Sequence, residues 1–95
     1  MNELIYHCDN NTYVIVDFFT PKCPPCNILA PFIEKLALEN PHITFKKVNC
    51  LEENDIALPH GITAVPVLLY IKNHKVANKT LGGDMHEILN AIATL

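Results

Sequence analysis

The chain has 95 residues and a mass of 10.7 kDa, a size that fits one domain with a core of its own. Nearly half of it is apolar, at 49%, and the mean hydropathy is +0.17. The formal charge is −3, and Lys46-Lys47 is the only adjacent basic pair, so nucleic acid and anionic membrane are poor partners. The apolar runs around 13–19 and 65–71 are too short to cross a bilayer.

No opening stretch combines a basic start, an apolar run and a small-residue cleavage site, so an intracellular, reducing environment is expected. Four cysteines could form a secreted disulfide scaffold. Two of them, however, stand as Cys23-Pro24-Pro25-Cys26, which suits a reactive pair better than a staple.

No repeat, linker or low-complexity tract divides the chain. A doubtful strand around Leu4–His7 is followed by Tyr13-Val14-Ile15-Val16-Asp17-Phe18-Phe19, a β-branched and aromatic run without alternation. That pattern predicts a central strand buried on both faces. After a loop, a helix is expected, with Pro24 and Pro25 in its first positions, where a missing N–H is tolerated. Ile28, Phe32 and Leu36, with Leu29, Ile33 and Ala37, predict one broad inward stripe. Pro31 predicts a kink, and Asn40-Pro41 a stop.

A second strand is expected over Ile43–Asn49, parallel to the first because a helix joins them. Leu51–Pro59 reads as a helical turn with loop, and Pro66–Ile71 as a third strand. Asn73-His74 is a tight turn leading into an antiparallel fourth strand, Lys75–Leu81. Gly82-Gly83 breaks the chain. Asp84 and Glu87 then form a capping box for a last helix, with Met85, Ile88, Leu89 and Ile92 inward. The class is α/β, a mixed sheet between helices.

A Cys-x-x-Cys spacing serves zinc, iron–sulfur or dithiol redox chemistry alike. Here Cys23 stands where a buried strand passes into a helix, so its thiolate would face unpaired N–H groups and the positive end of the helix dipole. An exposed, ionised sulfur with a resolving partner one turn on is what thiol–disulfide exchange requires. A structural zinc site needs four ligands, and neither Cys8, Cys50 nor the five histidines supply a second pair at a suggestive distance.

Taken in order, these segments resemble the thioredoxin family from about Tyr13 to Leu95. The resemblance is carried by Val16-Asp17-Phe18-Phe19, Cys23-Pro24-Pro25-Cys26, Ala30-Pro31 and Lys47-Val48-Asn49. It continues through Gly61-Ile62-Thr63-Ala64-Val65-Pro66-Val67, Lys72-Asn73-His74-Lys75-Val76 and Gly82. It implies a thioredoxin fold with a four-stranded mixed sheet, room for a fifth N-terminal strand, and a protein-disulfide reductase with no cofactor of its own.

Residue by residue, the resemblance implies Cys23 as attacking thiolate, Cys26 as resolving thiol and Pro66 as a cis-proline. Val65 would pair with substrate backbone. A docking rim of Lys22, Pro24, Pro25, Ala64, Val65, Leu81 and Gly82 would surround Cys23. Partners would be protein disulfides and a thioredoxin reductase or similar donor, with the chain acting as a cytoplasmic monomer.

Asp17 has two readings. It is either a strand-edge carboxylate facing solvent, or a buried acid of raised pKa that exchanges a proton with Cys26. The resemblance implies the second, with Lys47 beside it. Alternative functions are an isomerase, oxidase or glutathione-dependent enzyme, or a non-catalytic binding module.

The chain departs from the family pattern in three places. Lys22 stands where tryptophan is usual, Pro24 replaces a common glycine, and the segment before Tyr13 is short for the opening strand and helix, so that helix is expected short or missing. Cys8 and Cys50 are expected to pack as small buried hydrophobes, with a regulatory or dimer-forming disulfide as the sharper alternative. The histidines at 42, 60, 74 and 86 are expected in loops or on polar faces.

Overall fold

The computed structural model describes residues 13–52 and 64–95. Cys8, His60, the strand around Leu4–His7, the opening helix and most of Leu51–Pro59 lie outside the described residues.

The order is β1 (Tyr13–Phe19), α1 (Pro24–Glu39), β2 (Thr44–Asn49), β3 (Val67–Lys72), β4 (Lys75–Leu81) and α2 (Met85–Ala93). The strands form one four-stranded sheet in the order β2-β1-β3-β4. β1 pairs parallel with β2 and antiparallel with β3, and β3 pairs antiparallel with β4. The apolar run of β1 is thus central, with Val14, Val16 and Phe18 on one face and Ile15 on the other. The second and third strands begin one residue later than expected, at Thr44 and Val67, because Ile43 and Pro66 precede the ladder.

The two faces carry separate clusters. Val14, Val16 and Phe18 pack with Val48, Val67, Leu69 and Ile71. On the other face, Ile15, Leu68 and Tyr70 are covered by Leu29, Ile33 and Leu36 of α1 and by Ile88 and Ala91 of α2. Both described helices therefore lie on the same side of the sheet.

The apolar stripes of the helices are narrower than their periodicity suggests. Ile28 is 69% exposed, Met85 38% and Leu89 44%, whereas Leu29, Ile33, Leu36, Ile88 and Ala91 are buried. A helix on a sheet buries about a third of its circumference, and these three fall on its flanks. Asp84 caps α2 as expected, its carboxylate accepting from the N–H groups of His86 and Glu87.

The β3–β4 turn uses Asn73 and His74 at φ 53° and 67°, both left-handed. The second position of such a turn favours glycine, because a Cβ there crowds the carbonyl. His74→Gly is expected to stabilise the chain by about 0.5 kcal/mol, raising the melting temperature by about 2–4 °C. Calorimetry checks it, and a lowered temperature would contradict the strain account.

Candidate functional site

The sheet order sends the C-terminal end of β1 directly into the turn that starts α1. Cys23 N–H donates to Thr20 O at 3.3 Å, tightening that turn, and the Asn27 side chain donates to Pro21 O at 3.3 Å. Pro24 and Pro25 occupy the first two helical positions, where their fixed φ suits the helix and no N–H is missed.

Cys23 is the N-cap of α1. Its sulfur accepts from the backbone N–H of Cys26 at 3.2 Å. The two cysteines are joined as a disulfide with Cα atoms 5.2 Å apart. When that bond opens, the same N–H and the positive end of the helix dipole face the sulfur, which favours its ionised form.

One expectation needs correction. Cys23 is not openly exposed; in the disulfide it is 8% accessible and Cys26 7%. The cause is the chain before β3. The Val65–Pro66 peptide bond is cis, and the Val65 carbonyl oxygen stands 3.8 Å from Cys23 Sγ. Pro66 is buried, Val65 half-buried and Ala64 exposed.

Beyond β4, Gly82 at φ +84° turns the chain back, and its N–H donates to Pro66 O at 2.8 Å. A Cβ on Gly83 would lie 4.0 Å from Pro25 O. The Gly82-Gly83 loop is thereby placed beside both Pro66 and Pro25. Lys22, Pro24, Pro25 and Leu81 are exposed, and Gly82 is half-buried.

Asp17 is buried at 5% exposure, and its Oδ1 has no hydrogen-bond partner, so the solvent-facing reading is set aside. Burial pushes its pKa above the ordinary carboxylate value, and the positive charge of Lys47 opposes that rise. Asp17 and Lys47 are register partners across β1 and β2. The Lys47 ammonium itself sits over the Phe19 ring, 4.6 Å from its centroid, on the exposed side.

A hydroxyl pair was not anticipated. Tyr70 OH and Thr80 Oγ1 lie 2.9 Å apart, both residues buried. Burial pushes the Tyr70 phenol up to about 12. A tyrosine inside an apolar strand was the only signal, and its partner depended on register across the β3–β4 irregularity at Tyr70/Ile71. Cys50 is half-buried and packs with Val65 against the cluster under β1, less enclosed than expected.

Among the described residues, no group of three or more His, Cys, Asp or Glu side chains is placed to hold a metal ion. Likewise, no described helix is long and apolar enough to cross a membrane.

Comparison with known proteins agrees with this geometry. The family model described as Thioredoxin matches residues 2–94. Thioredoxin-1 of Saccharomyces cerevisiae is 39% identical over 80 residues, covering 84% of this chain and 78% of that protein. A peptide-N(4)-(N-acetyl-beta-glucosaminyl)asparagine amidase of Caenorhabditis briggsae is 35% identical over 92 residues, 97% of this chain but only 15% of that protein. This chain therefore spans a small fraction of that much longer relative. Among solved structures, a Fasciola hepatica thioredoxin superposes with a TM-score of 0.87 at 31% identity, covering 90% of this chain and 84% of that one. With the Cys-x-x-Cys pair at the start of α1, the family model matched over residues 2–94 and the fold superposed over 90% of the chain, the chain belongs to the thioredoxin family.

Proposed function

We propose that the chain reduces disulfides of other proteins through a Cys23/Cys26 dithiol cycle. The observation that carries this is the capping of α1 by Cys23 with Cys26 already bonded to it, the product state of such a cycle.

In the forward direction, the Cys23 thiolate attacks one sulfur of a substrate disulfide. The substrate S–S bond breaks, its second sulfur leaves as a thiolate and takes a proton, and a mixed disulfide remains. The Cys26 thiol gives its proton to the Asp17 carboxylate and attacks Cys23 Sγ. That releases the substrate as a dithiol and leaves the Cys23–Cys26 disulfide. Two electrons from a thioredoxin reductase or similar dithiol donor restart the cycle.

The remaining residues have supporting roles. A raised Asp17 pKa brings the acid nearer the range in which it both accepts and returns a proton. Lys47 limits that rise. Pro66 holds the Val65 carbonyl at the sulfur, leaving this loop for backbone pairing with an extended substrate. Lys22, Pro24, Pro25, Ala64, Leu81 and Gly82 form the rim. Such a reductase works as a monomer in a reducing compartment, and the cytoplasm is the assignment we favour.

The test is a redox titration against dithiothreitol and glutathione buffers, counting alkylated thiols by mass. A two-electron transition at Cys23–Cys26 near about −270 mV supports the reductase. One at about −180 to −120 mV assigns an isomerase or oxidase instead. Absence of any transition removes the redox reading and leaves a binding module.

A further inference from the structure

Prolines leave the approach to Cys23 short of backbone donors. Pro21 and Lys22 form the turn that the Cys23 N–H closes by donating to Thr20 O at 3.3 Å. Three and four positions beyond the Pro21 carbonyl stand Pro24 and Pro25, and neither has an N–H to give it. A side chain supplies the donor instead: the Asn27 carboxamide donates to Pro21 O at 3.3 Å. The backbone N–H of the same residue donates to Cys23 O at 3.0 Å. Asn27 thus grips the carbonyls on both sides of Lys22, tying the segment before the reactive cysteine to the helix after it.

Asn27 is exposed at the fourth position of α1, and asparagine is one of the weaker helix formers, so neither burial nor propensity accounts for it. What the clamp does depends on the state of the dithiol. In the disulfide, the Cys23–Cys26 bond itself fixes Cys23, with the Cα atoms 5.2 Å apart. Once that bond opens, or Cys23 carries a substrate, the place of its sulfur depends on the backbone leading into it. The ring of Pro21 already sets its φ, so the clamp removes the freedom left in Pro21 ψ and at Lys22. Freezing backbone dihedrals costs conformational entropy, and in a clamped loop that cost precedes the attack by Cys26.

We propose that Asn27 is a positioning residue for the resolving step, its side chain holding Cys23 within reach of Cys26 while Cys23 carries the substrate. The proposal rests on the dithiol cycle above and adds a residue that takes no part in the bond-making. In that step the Cys26 thiolate, its proton on Asp17, attacks Cys23 Sγ. The Cys23–Cys26 bond forms and the bond from Cys23 to the substrate sulfur breaks. Its electron pair leaves with the substrate as a thiolate, which takes up a proton. Asn27 acts through the loop, raising the effective concentration of one sulfur at the other. The earlier attack of Cys23 on the substrate disulfide does not involve Cys26 and is independent of the clamp.

The experiment mixes the reduced protein with one equivalent of 5,5′-dithiobis(2-nitrobenzoate). One nitrobenzoate thiolate leaves when Cys23 attacks and a second when Cys26 resolves the adduct. Absorbance separates the two steps, and acid-quenched mass spectra place the adduct on Cys23. Asn27→Leu keeps the side chain's shape and favours the helix but has no donor. Its second phase is expected to slow about three- to fivefold, with the first unchanged. The equilibrium constant for forming the Cys23–Cys26 disulfide from glutathione disulfide should fall by the same factor, because the open loop gains freedom that closure must remove. Asn27→Gln, which keeps the carboxamide, should recover most of both losses. An unchanged second phase in Asn27→Leu, equal slowing of both phases, or Asn27→Gln as slow as Asn27→Leu overturns the proposal. A native protein that releases only the first thiolate overturns the dithiol cycle itself and this proposal with it.

Discussion

Replacing Cys23 with serine is expected to lower protein-disulfide turnover by on the order of 10³-fold or more, effectively to background. The hydroxyl of serine is not ionised at neutral pH and cannot open a disulfide. The substitution isolates chemistry from folding, because serine is itself a preferred N-cap. Its oxygen can take over the hydrogen bond that the Cys23 sulfur now accepts from Cys26 N–H at 3.2 Å. Circular dichroism should therefore show an intact fold in an inactive protein.

Cys26→Ser should behave differently. The first exchange at Cys23 remains possible, but no thiol is present to resolve the mixed disulfide. The variant is expected to accumulate covalent adducts with substrate, seen as mass shifts on non-reducing gels and removed by dithiothreitol. Adducts on Cys23→Ser rather than Cys26→Ser would reverse the two roles. Full activity in both variants would remove the dithiol from the mechanism.

How far the sequence foretells these features depends on whether the deciding forces are local. The unbroken apolar run of β1 and the prolines opening α1 are local signals, and the structure follows both. So does the turn at Asn73-His74, which closes between Lys72 and Lys75. Asp17 was legible as a conflict: a carboxylate in an apolar strand is either solvated or functional, and the structure buries it.

What remained illegible depends on contacts between distant segments. Helical periodicity shows that Ile28, Met85 and Leu89 lie near the apolar side, but not how wide an arc the sheet covers, and all three emerged at the margin. The shielding of Cys23 needed the Val65 carbonyl, 42 positions away in the chain, to be folded against the sulfur. The Tyr70–Thr80 pair needed the register of two strands across an irregularity. In each case the missing information is the placement of another element.

Asp17→Asn is expected to change stability and rate in opposite directions. Burial raises the folded-state pKa of Asp17 above its unfolded value, so the native chain holds this proton more tightly than the unfolded chain does. Native stability therefore falls as pH rises from the unfolded value, about 3.9, through the raised folded one. Asparagine has no such titration. At pH 7 the variant should be more stable by about 1–3 kcal/mol, the scale for an uncompensated buried polar group, and the gain should vanish below about pH 3.

Turnover should move the other way. With no carboxylate to accept the Cys26 proton, resolution is expected to slow by about 10²-fold at pH 7, at the low end for general acid–base catalysis. Because Cys26 can also lose its proton to solvent as the pH approaches that of a free thiol, about 8.5, the deficit should shrink in alkaline buffer. Urea titrations and single-turnover release from a mixed disulfide, both taken across pH 3–9, separate the two effects. A stability gain with unchanged release would make Asp17 a buried charge without a part in resolution. Slow release that persists at high pH would mean that asparagine disturbs the dithiol's geometry. Only a gain in stability joined to a rate loss that alkali repairs is what one buried carboxylate, serving as the base for Cys26, should produce.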